Sequence, residues 1–316
     1  MARTKGEAIH GWLILDKPLG LTSTKALAIA RRLLNANKAG HAGTLDPLAT
    51  GVLPLAFGEA TKTVPYLVEA RKTYRFTVRW GAETTTDDAE GPVARSSDQR
   101  PSIDAVLHAL PAFVGQIMQT PPAFSAVKVD GERAYDLARG GEEVVLEPRL
   151  AQIHRLEVVD LPDADHAVFE MVCGKGTYVR AFARDLGRAL GCLGHVQALT
   201  RLGVGPFSLK AAISLETLEE SAKGGAAKRL LMPLATALDD IPALAVTDQE
   251  AAQLRLGQAI LARGRVSLRE EAVAEGGAPE AHPVFCRSRG GDPVAIAAFD
   301  RGELRPTRVF NFSTRG

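Results

Sequence analysis

A single carboxylate, Asp46, lies in the glycine-rich stretch GHAGTLDPLATG of residues 40–51. Glycines permit close backbone approach and positive φ, and Pro47 restricts the chain directly after the acid. A short carboxylate on such a rigid loop suits a nucleophile or a catalytic base. The alternative is a turn in which the Asp46 side chain caps a backbone amide. No Gly-Lys-Ser/Thr sequence follows, which excludes a phosphate-binding loop.

Other residues with chemical potential lie elsewhere in the chain. Tyr74 stands near the start of an alternating segment, and the glycine-lined segment GKGTYVR contains Tyr178 and Arg180. Lys17 and Lys62 belong to the basic N-terminal part. Each has a simpler interpretation: Tyr74 as a core aromatic, Arg180 as a surface residue of a helix, and the two lysines as solvated charges. The residues alone therefore leave both interpretations open.

The elements that must position these residues follow from apolar periodicity. Residues 12–15 predict a buried strand, and Thr22 or Ser23 can cap the helix that follows. Residues 72–80 alternate strictly, with Tyr74 on the apolar face, and predict a half-buried strand. Residues 177–190 predict a helix that carries three arginines at i, i+4 and i+8 on one face, Arg180, Arg184 and Arg188. A strand near 196–204 is expected next.

The remaining segments are less regular. The acidic stretch TTTDDAEG of residues 84–91 predicts an exposed hairpin tip, and a helix near 103–114 is expected to be capped by Ser102. Composition shifts around residues 231–245, which places a boundary near residue 240. The last part predicts a helix at 248–256, a glycine-rich turn and short strands. It is long enough for a small β-barrel-like module but too short for a second enzyme core.

Charge is distributed unevenly although the net charge is only +1. Residues 1–80 carry 12 Lys/Arg against 5 Asp/Glu, and residues 171–210 carry 6 against 1. The intervening residues 81–170 carry 7 against 17, and residues 211–316 carry 13 against 14. Two basic blocks separated by an acidic one favour a local positive face for a polyanion. They can also be merely solvated faces, but the unusual motifs lie in the basic blocks, which favours nucleic acid.

Composition excludes several classes of protein. At 316 residues, 46% hydrophobic and 24% charged, the chain is typical of a globular protein with two domains. The three cysteines, Cys173, Cys192 and Cys286, form no CxxC motif, which excludes a disulfide framework and a cysteine-rich zinc site. No HExxH pair and no apolar run of membrane-spanning length occur. We expect a cytoplasmic protein with no metal and no membrane contact.

Five motifs in this order and spacing resemble the TruB family of bacterial tRNA pseudouridine synthases. They extend from about residue 11 to residue 207 and read GWLILDKPLGLTS, KAGHAGTLDPLATGVLPLAFGEATK, KTYRF, TPPAFSAVKVDGERAYDLAR and GTYVRAFARDLG. The resemblance implies an α+β fold with a largely antiparallel mixed sheet and a central cleft. It also implies a catalytic domain at 1–239 with a thumb-loop segment at about 121–150. A small PUA-like β-barrel module at 240–316 resembles the family's RNA-binding module more loosely.

The resemblance also implies roles for individual residues. Asp46 would be the nucleophile, Tyr74 would stack on the target uracil and move a proton, and Arg180 would pair with Asp46. The substrate pocket would be completed by further residues: His41, Tyr178, Leu199 and, as RNA or structural contacts, Lys17 and Lys62. Pairing with Arg180 would keep the carboxylate ionised in a pocket that excludes water.

The implied reaction converts a uridine in the T-loop of tRNA, position 55, to pseudouridine. It breaks a C–N glycosidic bond, turns the base and rejoins it through carbon, so no cofactor is expected. The target base must be flipped out of the RNA stack. The implied partner is the T-arm of tRNA, and we expect a monomer that needs no protein partner.

Three alternatives remain at this point. A guide-RNA-dependent synthase of the dyskerin type shares the aspartate loop, but the SAVKVDGERAYDLARGGEEV segment and the absence of lysine-rich tails favour a stand-alone enzyme. A tRNA folding chaperone could use the same surface, and the two roles can coexist. A small-molecule hydrolase with an aspartate nucleophile would explain neither the basic blocks nor the C-terminal module.

Overall fold

The structure is a computed structural model of the 316-residue chain. It describes residues 6–125, 127–129, 131–140, 144–262, 266 and 282–312. In these residues the helices are α1 (Ser23–Leu33), α2 (Val64–Glu69), α3 (Ile103–Ala109), α4 (Ala134–Arg139), α5 (Val179–Ala189), α6 (Leu215–Lys223) and α7 (Asp248–Arg255). The strands are β1 (Gly11–Lys17), β2 (Ala39–His41), β3 (Ala49–Phe57), β4 (Lys72–Trp80), β5 (Ala82–Thr84), β6 (Val93–Ser96), β7 (Gly115–Gln119), β8 (Lys128–Val129), β9 (Glu132–Arg133), β10 (Arg149–Asp163), β11 (His166–Cys173), β12 (Gly194–Val204), β13 (Phe207–Ser208), β14 (Ala243–Val246), β15 (Ile260–Leu261), β16 (His282–Ser288), β17 (Pro293–Asp300) and β18 (Glu303–Val309).

A nine-stranded sheet forms the centre of the molecule. Its strand order is β1-β3-β12-β4-β11-β10-β7, with β13 added to β12 and β2 added to β3. β12 pairs with β3 in parallel and with β4 antiparallel, and the other pairs are antiparallel. The predicted mixed, largely antiparallel sheet is thereby confirmed. β12 is central to it, since it joins the strand after the Asp46 loop to the strand that carries Tyr74.

The alternation predicted for β4 is present. Phe76, Val78 and Trp80 are buried, whereas Arg75 and Arg79 on the opposite face are exposed. The buried face packs beneath α5, where aromatic rings lie 5 to 6 Å apart: Phe76–Phe169 5.5 Å, Phe76–Phe182 5.6 Å and Phe169–Phe182 5.7 Å. This aromatic core fixes α5, and with it the arginines of that helix, over the sheet.

The helix caps follow the sequence closely. Thr22 Oγ1 accepts from the Lys25 N–H at 3.2 Å, which fixes the start of α1 as predicted. Ser102 caps α3 in the same way. The helix predicted for 103–114 is α-helical only to Ala109 and continues as a 3₁₀ turn over Leu110–Phe113. Pro111 lacks the N–H that an α-helix would require there, which explains the change.

The prediction for residues 84–91 is right about the hairpin, since β5 and β6 pair antiparallel, but wrong about the exposure of Asp87 and Asp88. Thr84, Asp87 and Asp88 are buried in the connection between β5 and β6. The Asp87 and Ala89 backbones also hydrogen-bond Val196 of β12, which draws this segment against the main sheet. Acidic residues were expected to face solvent because no local partner is visible in the sequence. Their partners are arginines of α5, about a hundred positions further along the chain.

The second, five-stranded sheet has the order β14-β16-β17-β18-β15 and agrees with the predicted barrel-like module. α7 begins with a capping box formed by Thr247 and Glu250. Phe285, Ile296 and Phe310 of this part pack in one apolar cluster with Trp12 and Ile14 of the first strand. The glycine-rich turn predicted here lies outside the described residues, and the boundary near residue 240 stays a prediction.

Candidate active site

The loop that carries Asp46 is held by side chains from outside it. Ser23, at the start of α1, donates its hydroxyl to the Leu45 carbonyl at 3.0 Å and accepts from the Leu45 N–H at 2.8 Å. The Lys17 ammonium donates to the Pro47 carbonyl at 3.4 Å and to the Leu21 carbonyl at 2.6 Å. These bonds fix the backbone on both sides of Asp46. The loop is therefore held rigid by these hydrogen bonds, in addition to the restriction expected from its proline.

The Asp46 carboxylate forms an ion pair with Arg180. Arg180 Nη2 lies 2.9 Å from Asp46 Oδ2, and the arginine side chain is 7% exposed against 43% for the aspartate. The predicted pairing is thus present. The same guanidinium donates to the Thr86 carbonyl at 3.0 Å and to the Phe124 carbonyl at 2.9 Å. The arginine is therefore fixed from three directions, and the carboxylate is the accessible member of the pair.

A further acid stands behind Arg180. Asp88 Oδ2 lies 3.5 Å from Arg180 Nη1, and the Asp88 side chain is 3% exposed. Its other oxygen accepts from the Thr86 hydroxyl at 2.5 Å and from the Glu90 N–H at 3.0 Å. These contacts fix the Asp88 carboxylate, which in turn orients the guanidinium. The resulting chain of charges runs from Asp88 through Arg180 to Asp46.

The other two arginines of the α5 face are also paired with acids, one in the acidic stretch and one in β5. Arg184 Nη1 lies 2.9 Å from Asp87 Oδ2, and Arg188 Nε lies 2.6 Å from Glu83 Oε1. Burial raises the pKa of Asp87, and the nearby Arg184 charge lowers it in part. All three arginines of the pattern are therefore paired with acids of residues 83–88, and only Arg188 is substantially exposed. This limits how much of the second basic block is available to a polyanion.

A cleft of about 360 Å³ opens beside Asp46, within the size range of small-ligand sites. It brings together five predicted residues, Asp46, Tyr74, Tyr178, Arg180 and Leu199. A smaller cavity of about 280 Å³ adjoins it. Both cavities share Phe124, Tyr135 and the Asp46–Arg180 pair. The cleft thus combines one ion pair with aromatic and apolar side chains and with several serine and threonine residues.

Two tyrosines face this cleft in different surroundings. Burial raises the pKa of Tyr74, while the charge of Arg201 and a hydrogen bond from it lower the pKa in part. Burial also raises the pKa of Tyr178. Both phenols are therefore neutral near pH 7 and can donate a proton. Leu199, 8% exposed, lies opposite Phe76 in β4 and Ala49 in β3, so three strands meet at the apolar wall.

A glutamine that sequence reasoning missed fixes the start of α5. The Gln119 amide donates to the Tyr178 carbonyl at 3.0 Å and accepts from the Tyr178 N–H at 2.8 Å. Arg184 Nη2 also donates to the Thr120 carbonyl at 2.8 Å. The end of β7 is thus joined to the helix that carries Arg180. The only signal for it in the sequence was a polar residue directly before the TPPAFS motif.

The remaining predicted residues lie further from the cleft. Lys17 is fully buried beneath the Asp46 loop, so the interpretation of a solvated charge is wrong for it. Lys62 donates to Glu59 Oε2 at 2.6 Å and to the Val309 carbonyl at 2.7 Å, which connects the first part of the chain to β18. His41 ends β2, and burial followed by the charge of Arg201 lowers its pKa. None of these three is among the described residues that line the two cavities.

Two absences concern the described residues alone. In them, no helix is long and apolar enough to cross a membrane. No group of three or more histidine, cysteine, aspartate or glutamate side chains in the same part is arranged to hold a metal ion.

Comparisons with known proteins agree with this architecture. Residues 31–179 match the TruB family pseudouridylate synthase N-terminal domain, and residues 180–239 match the tRNA pseudouridylate synthase B C-terminal domain. The chain is 54% identical over 310 residues to the tRNA pseudouridine synthase B of Bradyrhizobium diazoefficiens, covering 96% of this chain and 87% of that protein. It is 53% identical over 311 residues to the protein of the same name from Caulobacter vibrioides, covering 98% and 99%. The chain therefore belongs to the TruB family of pseudouridylate synthases.

Solved structures share the fold at lower identity. An H/ACA RNP bound to a substrate RNA containing 2'-deoxyuridine matches with a TM-score of 0.73 at 23% identity, covering 96% of this chain and 85% of that chain. The archaeal box H/ACA sRNP Nop10-Cbf5 complex matches with a TM-score of 0.72 at 22% identity, covering 98% and 93%. The predicted fold class is thereby confirmed.

Proposed function

We propose that this chain converts the T-loop uridine of tRNA, position 55, to pseudouridine, with Asp46 as the nucleophile. The observation that carries the proposal is the Asp46–Arg180 ion pair at 2.9 Å, placed in a cleft with Tyr74 and Leu199 in a chain of this family. The bacterial relatives of similar length are named tRNA pseudouridine synthase B, which supports tRNA as the substrate.

The cleft suits a single nucleotide that has left its stack. Flipping a base out of a folded RNA costs a few kcal/mol. Stacking on an aromatic side chain such as Tyr74 returns about 1–3 kcal/mol per base, and phosphate contacts supply more. Leu199 and Phe124 give the detached uracil an apolar enclosure in which it can turn without diffusing away.

The charged residues have complementary tasks in this scheme. Asp46, 43% exposed, can reach the nucleotide, while the buried Arg180 guanidinium keeps it oriented. A carboxylate can form a covalent intermediate that divides the exchange of a C–N for a C–C bond into easier steps. The proton leaves carbon 5 of the uracil, and N1, freed when the glycosidic bond breaks, gains one; the neutral Tyr74 hydroxyl in the cleft can relay it by accepting one proton while it gives up its own.

We further propose that the enzyme acts without a guide RNA, as a monomer in the cytoplasm, where its substrate is made. Its relatives of 53–54% identity are bacterial proteins named tRNA pseudouridine synthase B. Residues 240–316 would contribute RNA contacts as a PUA-like module, and residues 121–150 would close over the RNA. The junction of that segment with Arg180, through the Phe124 carbonyl, supports a role next to the reacting nucleotide.

One experiment tests the assignment. Purified protein is incubated with an unmodified tRNA transcript, without guide RNA, and pseudouridine is mapped by position. We expect modification at the T-loop uridine alone. Modification elsewhere would overturn the specific assignment, and a requirement for added guide RNA would favour the dyskerin-type alternative.

A variant tests the role of Asp46. Asp46→Asn keeps the shape of the side chain but removes its nucleophilic charge, so we expect product formation to be lost while tRNA binding remains. The matched control is Asp98→Asn, an exposed acid remote from both cavities. Pseudouridine formation by Asp46→Asn would refute the mechanism.

A further inference from the structure

Arg201 is a buried cation that none of the roles above assigns. It lies in β12 and is 1% exposed. Its guanidinium donates to three backbone carbonyls: from Nε to Val52 at 2.7 Å, from Nη1 to Thr44 at 3.3 Å and from Nη2 to Gly43 at 3.2 Å. Two of these acceptors lie two and three positions before Asp46. Arg201 therefore holds the part of the loop that precedes Asp46, in addition to the contacts that Ser23 and Lys17 make with Leu45 and Pro47.

The sheet is built to admit this arginine. Arg201 lies opposite Tyr74 in β4 and opposite Gly51 in β3. Gly51 has φ of +95°, and a Cβ there would lie 2.3 Å from the Arg201 carbonyl oxygen, so the two strands approach as closely as glycine allows. The β12–β4 register shifts directly after Arg201, and such bulges often redirect a side chain near a functional site.

The charge of Arg201 has no acidic partner in the described part of the chain. Its hydrogen bonds there go to backbone carbonyls, and Tyr74 lies directly opposite it in β4, whereas Arg180 and Arg184 are paired with carboxylates. Burying a cation without a carboxylate is costly. A residue that served stability alone could be replaced by a neutral side chain at lower cost. The presence of an unpaired cation here is therefore best explained by a role toward its two neighbours, the Asp46 loop and Tyr74.

We propose that Arg201 is a positioning residue for the isomerisation. Its guanidinium fixes the turn of residues 43–44 that carries Asp46, and it holds the Tyr74 hydroxyl at a set place relative to that turn. The nucleophile and the proton relay are thus both positioned by the buried guanidinium of Arg201. The inference rests on the proposed function of Asp46 and Tyr74. It adds a residue that touches neither the RNA nor the reacting atoms.

The test is Arg201→Lys, which keeps the charge but can reach one of the three carbonyls at a time. We expect the single-turnover rate on a tRNA transcript to fall about 10- to 100-fold, as small misplacements of reacting groups do. The dissociation constant for tRNA should not change. In a Tyr74→Phe background the same substitution should lower the rate by a smaller factor, because part of its effect passes through the phenol.

Arg31→Lys is the matched control. Arg31 also donates to two backbone carbonyls, Ala36 at 3.0 Å and Asn37 at 2.8 Å, but it lies at the end of α1 remote from the cleft. We expect a wild-type rate. A wild-type rate for Arg201→Lys would overturn the proposal, and so would equal factors in the two Tyr74 backgrounds, which a merely structural role would give.

Whether each variant folds is measured separately from its rate. If Arg201→Lys does not fold, Arg201→Met removes the buried charge and carries the test by the same rate and binding measurements. If neither variant folds, Arg201 serves general stability and the proposal is refuted. If instead the wild-type protein forms no pseudouridine in tRNA, the proposed function fails. That outcome is distinct from any difference between the variants and the wild type.

Discussion

Arg180 presents the same nitrogen, Nη2, to Asp46 Oδ2 and to the Phe124 carbonyl, each at 2.9 Å. A second nitrogen, Nη1, donates to the Thr86 carbonyl at 3.0 Å. The guanidinium thus joins the nucleophile loop, the acidic segment and the start of the 121–150 segment. A displacement of any one of them changes the surroundings of Asp46.

This arrangement predicts the effect of Arg180→Lys. A lysine keeps the charge, but its single ammonium cannot contact the three oxygens in the planar geometry that a guanidinium offers. We expect the single-turnover rate of pseudouridine formation to fall by about 10²–10³-fold, the range seen when one preorganised donor is removed. The tRNA dissociation constant should stay the same, and both quantities are measured on one transcript.

Arg188→Lys serves as the control for that substitution. Arg188 lies two turns further along α5, is 50% exposed and pairs with Glu83 outside the cleft. Its substitution should leave the rate at the wild-type value. An equal loss in both variants would mean that α5 as a whole, rather than the Asp46 contact, explains the effect.

Gln119 provides a second prediction, on stability. Its amide makes two hydrogen bonds with the Tyr178 backbone and is 3% exposed. Gln119→Glu keeps the acceptor but places a carboxylate oxygen against the Tyr178 carbonyl. We expect the free energy of unfolding in urea to fall by about 1–3 kcal/mol, the cost of an unsatisfied buried polar group.

Gln116→Glu is the matched control, because Gln116 lies on the same strand but is exposed. It should unfold at the wild-type urea concentration. Equal midpoints for the two variants would show that the pair of bonds at Gln119 contributes nothing to stability.

Much of the positioning framework could be read from local sequence. The alternation of residues 72–80 predicted which face of β4 is buried, and the caps at Thr22 and Ser102 predicted where two helices begin. These features depend on residues within a few positions of one another. They were confirmed because tertiary packing and local preference agree in each of them.

What sequence could not supply are long-range partners. Asp87 and Asp88 read as solvated acids, and only the packing of α5 against their segment reveals why they are buried. Arg201 and Lys17 are likewise explained by carbonyls of a loop reached through strand register rather than by neighbours in the chain. The roles proposed for the site residues remain predictions that the variants here address.

Lys62 allows a prediction that separates an RNA contact from a structural one. Each phosphate contact contributes about 0.9 to the slope of log K against log salt for duplex and about 0.7 for single-stranded nucleic acid. Because the Lys62 ammonium is bonded to Glu59 and to the Val309 carbonyl, we expect Lys62→Gln to leave that slope unchanged. The measurement is tRNA binding at several salt concentrations.

The same variant should loosen the C-terminal part. Glu59 Oε2 also accepts from the Asn311 N–H at 2.7 Å, so loss of the ammonium disturbs the attachment that follows β18. We expect faster limited proteolysis in the C-terminal part. A slope reduced by about one contact, with unchanged proteolysis, would identify Lys62 as an RNA ligand instead.

Lys17 predicts a dependence of stability on pH. Burial lowers its pKa from 10.5 to about 8, although the charges of Asp46 and Glu90 act in the opposite direction. Between pH 8 and 10.5 the unfolded chain therefore binds more protons at this group than the folded chain does. Stability must rise with pH across that window as far as Lys17 is concerned. A shift of this size corresponds to at most about 3–4 kcal/mol, at 1.36 kcal/mol for each pKa unit.

The measurement is urea unfolding at intervals from pH 7 to pH 10.5 for the wild type and for Lys17→Met. The variant loses the hydrogen bonds to the Leu21 and Pro47 carbonyls, so its absolute stability is not the relevant quantity. The relevant quantity is the difference between the two slopes of stability against pH, because Lys17→Met lacks the titrating group. We expect the wild type to gain stability relative to the variant as the pH rises, whereas Lys25→Met, at an exposed position of α1, should follow the wild-type slope. Parallel curves for the wild type and Lys17→Met would show that the ammonium beneath the Asp46 loop keeps an ordinary pKa.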